Sequence, residues 1–151
     1  MDTRKLGFNT KLVHAGIPDD PLGSVTTPIY QTSTFAFRNA KEGADRFAGA
    51  ADGFIYSRIG NPTTSALEQN VAQLENGFGA TATASGMGAV STAYMALLGQ
   101  GDHMVSTASV YGPSRVLMEK HMGRFGVEST FMDTTDLEML KRSIKPYTKV
   151  V

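Results

Sequence analysis

The run Ala80-Thr81-Ala82-Thr83-Ala84-Ser85-Gly86-Met87-Gly88 decides the fold. Its five small residues read as a short buried strand, and Ser85 to Gly88 turn the chain into a helix. That helix carries Val90, Ala93, Tyr94, Leu97 and Leu98, an apolar set wide enough to be largely buried. Upstream, Asn61-Pro62-Thr63 opens another helix: Asn61 supplies a cap and Pro62 fits the first helical position. Leu67, Val71 and Leu74 follow at helical spacing, and Gly77 is the expected stop.

Downstream, His103 to Ser106 reads as the next strand. Pro113 opens a third helix with Met118, Met122 and Phe125 on one face, and Gly126 stops it. Val127 to Asp133 reads as a third strand. Thr135 and Glu138 have capping-box spacing, with Leu137, Leu140 and Ile144 as the buried stripe of a fourth helix. Pro146 closes that helix, and Lys149 to Val151 begins one more strand. Helices alternating with short strands predict an α/β fold with a mostly parallel sheet. In such sheets ligands sit outside the carboxyl ends of the strands, here Ser85–Gly88, Ser106–Gly112 and Asp133–Thr135. An apolar strand at Val151 reads as one piece of a longer protein.

Residues 1–60 are different. Pro18, Pro21, Pro28 and Gly7, Gly16, Gly23, Gly43, Gly49 and Gly53 interrupt every candidate element, yet Leu6, Phe8, Leu12, Val13, Ile29, Tyr30, Phe35, Phe37, Phe47, Phe54 and Ile55 recur through it. An irregular segment this apolar must bury its side chains somewhere. Two arrangements are open: an extended arm lying across a neighbouring subunit, or a meander packed on its own domain. The domain reading is therefore 1–60 as arm and 61–151 as the first part of an α/β domain.

Composition narrows the classes. Among 151 residues, 14 Lys and Arg balance 14 Asp and Glu, so no basic field is left for nucleic acid or anionic lipid. With no cysteine, disulfides, thiolate zinc sites and cysteine nucleophiles are excluded. No apolar run reaches the roughly 18 residues of a membrane span, and no apolar signal core follows Met1-Asp2-Thr3-Arg4-Lys5, so the expected location is cytoplasmic. His14, His103 and His121 have no metal-ligand spacing, and Asp19-Asp20 reads as solvated surface.

Three features carry chemistry. The Ser85–Gly88 turn leaves backbone N–H groups uncovered at a helix N-terminus, which suits an anion; the bland alternative is that the glycines serve close packing. Gly86-Met87-Gly88-Ala89-Val90-Ser91 partly resembles a dinucleotide fingerprint, but Ser91 replaces the usual small residue, and the next strand ends in Ser106 rather than an acid. Tyr56 and Arg58, two apart in a segment read as extended, would face one target, and a guanidinium fork suits phosphate. Tyr111, on the exit loop of the His103 strand, could stack on a flat ligand or pack on an edge.

In order along the chain stand Pro28-Ile29-Tyr30-Gln31-Thr32-Ser33-Thr34-Phe35, Tyr56-Ser57-Arg58-Ile59-Gly60-Asn61-Pro62-Thr63, Ala84-Ser85-Gly86-Met87, Gly101-Asp102-His103 and Val110-Tyr111-Gly112. This closely resembles the pyridoxal-phosphate enzymes of cysteine and methionine metabolism: cystathionine γ-synthase, cystathionine γ-lyase, methionine γ-lyase and O-acetylhomoserine sulfhydrylase. The resemblance runs from about Phe8 to Val151. It implies a fold-type I architecture, here its amino-terminal arm and the first part of the large domain. It further implies that Gly86 and Met87 bind the cofactor phosphate through the backbone, and that Tyr56 and Arg58 reach the same phosphate from a neighbouring identical subunit. Tyr111 would stack on the pyridine ring and assist proton transfer. A homodimer or homotetramer and an amino-acid substrate with a γ-substituent follow from it.

Two departures matter. The family's Schiff-base lysine falls beyond residue 151, so the resemblance implies an inactive piece of a carbon–sulfur lyase or transferase. Methionine γ-lyases usually carry cysteine after the tyrosine–glycine pair, where this chain has Pro113, although the approach from Ala44 to Asn61, including Phe47, looks like that branch. The readings set against it are a non-catalytic partial domain and a nicotinamide-binding domain.

Overall fold

Three parallel strands form the sheet, in the order β2-β1-β3. They are β1 (His103–Thr107), β2 (Glu128–Met132) and β3 (Thr148–Val150). The helices are α1 (Phe8–His14), α2 (Ala40–Phe47), α3 (Pro62–Leu74), α4 (Gly86–Leu97), α5 (Gly112–Val116) and α6 (Leu137–Ser143). In this computed structural model residues 3–17 and 20–151 are described; Pro18 and Asp19 of the expected turn lie outside them. Two compact units result, Met1–Ala82 and Thr83–Val151. Helix α3 thus groups with residues 1–60.

In the first unit α1 packs on α3. Gly16 allows this: it sits at φ +75°, and a Cβ there would run into the Ala66 carbonyl. Ala15 and Ala66 are buried beside it, and Asn70 Nδ2 donates to the Ala15 carbonyl at 2.8 Å. Phe35 pairs with Phe54 and Phe37 with Phe47, ring centroids 5.5 and 6.1 Å apart. Yet Phe8, Leu22, Val25 and Ile29 stay exposed.

Asn61 caps α3 as expected, accepting from the Thr63 amide, with Pro62 next. The stop differs. The left-handed residue is Asn76, at φ +53°, and the Gly77 amide closes on the Ala72 carbonyl at 2.8 Å, a Schellman end built on asparagine.

The expected strand at Ala80–Ala84 is absent. A strand needs a partner backbone, and here the Ala82 amide donates to a side chain instead, Glu68 Oε1 at 2.8 Å.

In the second unit the core is Leu98, Met104, Met118, Met122 and Val127. Met118 and Met122 lie on a π-helical stretch, Leu117–Met122, that continues α5. The wider π turn keeps two methionines four apart on one face, but it leaves Phe125, expected with them, exposed. Gly126 ends this helix at φ +80°. The capping box at Thr135 is not formed. Asp136 caps α6 by accepting from the Met139 amide at 2.9 Å, while Thr135 bonds back to Asp133. The stripe expected on α6 is likewise uncovered, with Leu137 and Ile144 exposed, and α4 buries none of its own residues. No helix among the described residues is long and apolar enough to cross a membrane.

Candidate functional site

The Ser85–Gly88 turn forms the amino end of α4. Ser85 is extended, at φ −160° and ψ 159°, and its Oγ accepts the Gly88 amide at 3.0 Å. Thr83 Oγ1 donates to the Ser85 carbonyl at 2.8 Å and holds the approach. The amides of Gly86 and Met87 find no acceptor among the described residues. Two free donors therefore stand together at the positive end of a twelve-residue helix.

The two glycines have different reasons. A Cβ at Gly88 would lie 3.2 Å from Ser85 Oγ and 3.4 Å from Thr83 Oγ1, so close packing accounts for it. At Gly86 a Cβ would meet nothing within 4 Å. Nothing within the chain demands glycine there, whereas close approach of a ligand would.

Tyr111 stands on the loop that follows β1. It precedes α5, and Ser114, a buried residue of that helix's first turn, donates its hydroxyl to Met87 Sδ at 3.6 Å. Tyr111 is 68% exposed. Its loop is held by Arg115. The Arg115 amide donates to the Tyr111 carbonyl at 3.0 Å, and Nη1 donates to the Ala108 carbonyl at 3.3 Å. The guanidinium lies 4.5 Å over the Phe131 ring and pairs with Glu119 at 3.0 Å. The Ser114 bond to Met87 thus ties the first turn of α5 to the first turn of α4. Asp133, just past β2, is held below the usual carboxylate range by hydrogen bonds from the Thr135 hydroxyl and amide.

Tyr56 and Arg58 belong to the first unit. Thr34 and Tyr56 form an antiparallel bridge, and the chain then turns: the Ile59 and Gly60 amides both donate to the Tyr56 carbonyl, at 2.8 and 3.0 Å. Residues 57–59 are a turn and not the extended stretch expected, so alternation does not bring the pair together. A cation–π contact does, with Arg58 Cζ 5.5 Å from the Tyr56 ring centroid. Both side chains are exposed.

Sequence reasoning missed Ser114 and Arg115. A polar residue at the start of a helix and a basic one a turn later are ordinary, and only the fold shows what they touch. His103, read as the start of a strand and as lacking metal-ligand spacing, is a buried residue that opens β1. No cluster of three or more His, Cys, Asp or Glu able to hold a metal occurs among the described residues.

Residues 9–151 match the family model described as Cys/Met metabolism PLP-dependent enzyme, and the chain belongs to that family. An L-methionine gamma-lyase of Treponema denticola is 45% identical over 150 residues, covering 99% of this chain and 37% of the relative. The crystal structure of metB from Corynebacterium glutamicum superimposes with a TM-score of 0.87 at 39% identity, covering 99% of this chain and 38% of that one. A cystathionine gamma-lyase from Lactobacillus plantarum, complexed with L-serine, gives 0.82 at 35% identity over 96% and 36%. The chain therefore spans little more than a third of the length of these proteins.

Proposed function

We propose that this chain forms the amino-terminal third of a pyridoxal-phosphate-dependent carbon–sulfur lyase or transferase acting on γ-substituted amino acids, with elimination from methionine the favoured reaction. The carrying observation is the pair of unpartnered amides at Gly86 and Met87, next to a glycine whose missing Cβ no part of this chain requires. The residues present fit a phosphate. Two N–H donors on a helix end receive a dianion without any basic side chain of their own unit. When bound, the cofactor supplies an electron sink for the carbanion formed at the substrate Cα.

The chain's own residues then divide the work. Gly86 and Met87 fix the phosphate, and Ser85 holds the turn in shape. Tyr111 presents an exposed ring and hydroxyl, placed to cover a flat ligand and to carry a proton at its Oη. Tyr56 and Arg58 are offered outward, which suits donation to a neighbouring subunit's phosphate in a homodimer or homotetramer. One such charge-assisted bond contributes about 1.5–3 kcal/mol. The exposed Phe8, Leu22, Val25 and Ile29 suit an arm that finishes its burial against that neighbour. The lack of cysteine fits a reducing compartment, and we place the enzyme in the cytoplasm.

Pro113, where methionine γ-lyases usually carry cysteine, favours a second reading, γ-replacement. The complete enzyme, loaded with pyridoxal phosphate, is expected to release a thiol and ammonia from methionine. Release from an O-acylhomoserine only in the presence of a thiol would select the replacement reaction. Failure of the complete protein to take up the cofactor, followed by its visible absorbance, would overturn both.

A further inference from the structure

We infer that Asn61 is a positioning residue for Arg58, and that this role is separate from its cap of α3; the inference rests on the reading in which Arg58 binds the cofactor phosphate. A helix cap needs one acceptor, and serine, threonine or aspartate supplies it as well as asparagine. Asn61 meets that need with Oδ1, which accepts the Thr63 amide at 2.9 Å. Its Nδ2 has no part in the cap. It donates to the Tyr30 carbonyl at 2.8 Å and to Ser57 Oγ at 2.9 Å. The side chain is buried, with both amide protons and the oxygen engaged.

Ser57 is the residue between Tyr56 and Arg58. Besides receiving Asn61, its hydroxyl donates to the Thr32 carbonyl, and its amide donates to the Ser33 carbonyl at 2.8 Å. The centre of the turn is thus fixed from three sides. Arg58 itself is exposed, and its guanidinium lies against the Tyr56 ring with no hydrogen bond or ion pair among the described residues. A long side chain with that freedom loses rotamer entropy when it is ordered. Its aim must therefore come from the backbone, and the backbone is aimed by the Asn61 amide. This is why the position takes asparagine when a cap alone would accept serine.

The test is a double-mutant cycle on pyridoxal-phosphate affinity in the complete enzyme, using Asn61→Ser and Arg58→Ala. Asn61→Ser keeps a capping oxygen and removes both donors. It is expected to weaken cofactor binding about tenfold, the worth of one well-placed hydrogen bond, and to add almost nothing once Arg58 is alanine. An equal loss in both backgrounds would mark a purely structural residue and overturn the inference, as would no loss in either. If Arg58→Ala alone leaves affinity unchanged, the phosphate reading falls and carries the inference with it. If Asn61→Ser does not fold, Ser57→Ala replaces it in the cycle. It is expected to lose roughly threefold with Arg58 present, and loss independent of Arg58 overturns the inference.

Discussion

Lowering the pH from about 7.5 to about 5.5 is expected to weaken the fold through one buried side chain. His103 opens β1 with 0% exposure. Its Nδ1 is 2.7 Å from Thr148 Oγ1 and its Nε2 is 2.8 Å from Thr130 Oγ1, so one ring stitches β1 to both of its neighbours. The Thr148 hydroxyl also accepts the Lys145 amide at 2.7 Å, and the Tyr147 ring meets the imidazole edge-on at 5.8 Å. Burial holds the imidazole below its ordinary value of 6.5, the Lys145 ammonium pushes the same way, and the Glu128 carboxylate opposes them. The unfolded chain therefore takes the proton first. The contribution is complete above the unfolded value and is lost as the pH falls through it. At about pH 5.5 an unfolded histidine of ordinary pKa is about ten-elevenths protonated, which sets about 1.4 kcal/mol as the upper limit of the loss. Glu42, Glu128 and Asp133 have their pKa values lowered by hydrogen bonds, from ordinary values of 4.5, 4.5 and 3.8, so their losses fall in a more acid window. Chemical unfolding of the cofactor-free protein at three pH values, with His103→Gln alongside, measures the difference. The wild type is expected to lose more stability than the variant across the interval, by no more than about 1.4 kcal/mol. Parallel pH profiles would show that the folded ring is protonated like an unfolded one, and the reasoning would be refuted.

Gly86→Ala is expected to fold at least as stably as the wild type, because nothing lies within 4 Å of the new Cβ. It should bind pyridoxal phosphate more weakly, since a helical Cβ leans toward the amino end where the anion sits; unchanged cofactor affinity would remove the cradle. Ser85→Ala loses the acceptor of the Gly88 amide and is expected to cost about 1 kcal/mol of stability in urea unfolding. Met118→Ala empties a fully buried site of the core and is expected to cost about 2–5 kcal/mol by the same assay. A cost below about 1 kcal/mol would mean that the π-helical stretch collapses onto the void.

The parallel sheet, the α3 and α4 openings and the Gly126 stop were legible because each rests on local chemistry. A proline at the first helical position, a capping side chain and a glycine at positive φ act within a few residues. Even there a neighbour could compete. Thr135 and Glu138 have capping-box spacing, but Asp136 stands one residue closer to the helix and takes the Met139 amide, and Asp133 takes the Thr135 hydroxyl. The turn at Tyr56 failed for a related reason. Period-two reasoning assumes extended backbone, and the amides of Ile59 and Gly60 fold the chain back onto Tyr56. The pair still meets, by cation–π contact. The candidate site residues are named from the sequence for their own chemistry. The residues that hold them could not be named in that way, because Ser57, Asn61, Ser114 and Arg115 act through contacts set by tertiary structure.

Burial was the least legible property, for a reason that bears on the proposed enzyme. Periodicity states which face of a helix is apolar, not what covers it. On α4, Met95 and Leu97 are exposed, on α3 Leu67 and Val71, and on α6 Leu137 and Met139. The small-residue run at Ala80–Ala84 has strand composition and no strand beside it. These features share one explanation within the proposal. The chain spans 37% of the length of its Treponema relative, and the remaining length of such an enzyme would supply both the missing ladder and the covering layer. The cradle at Gly86 and Met87 does not wait for that cover. Its donors are fixed by the Ser85 cap and the axis of α4, both set within residues 83–97, so the proposed phosphate end is shaped by local chemistry.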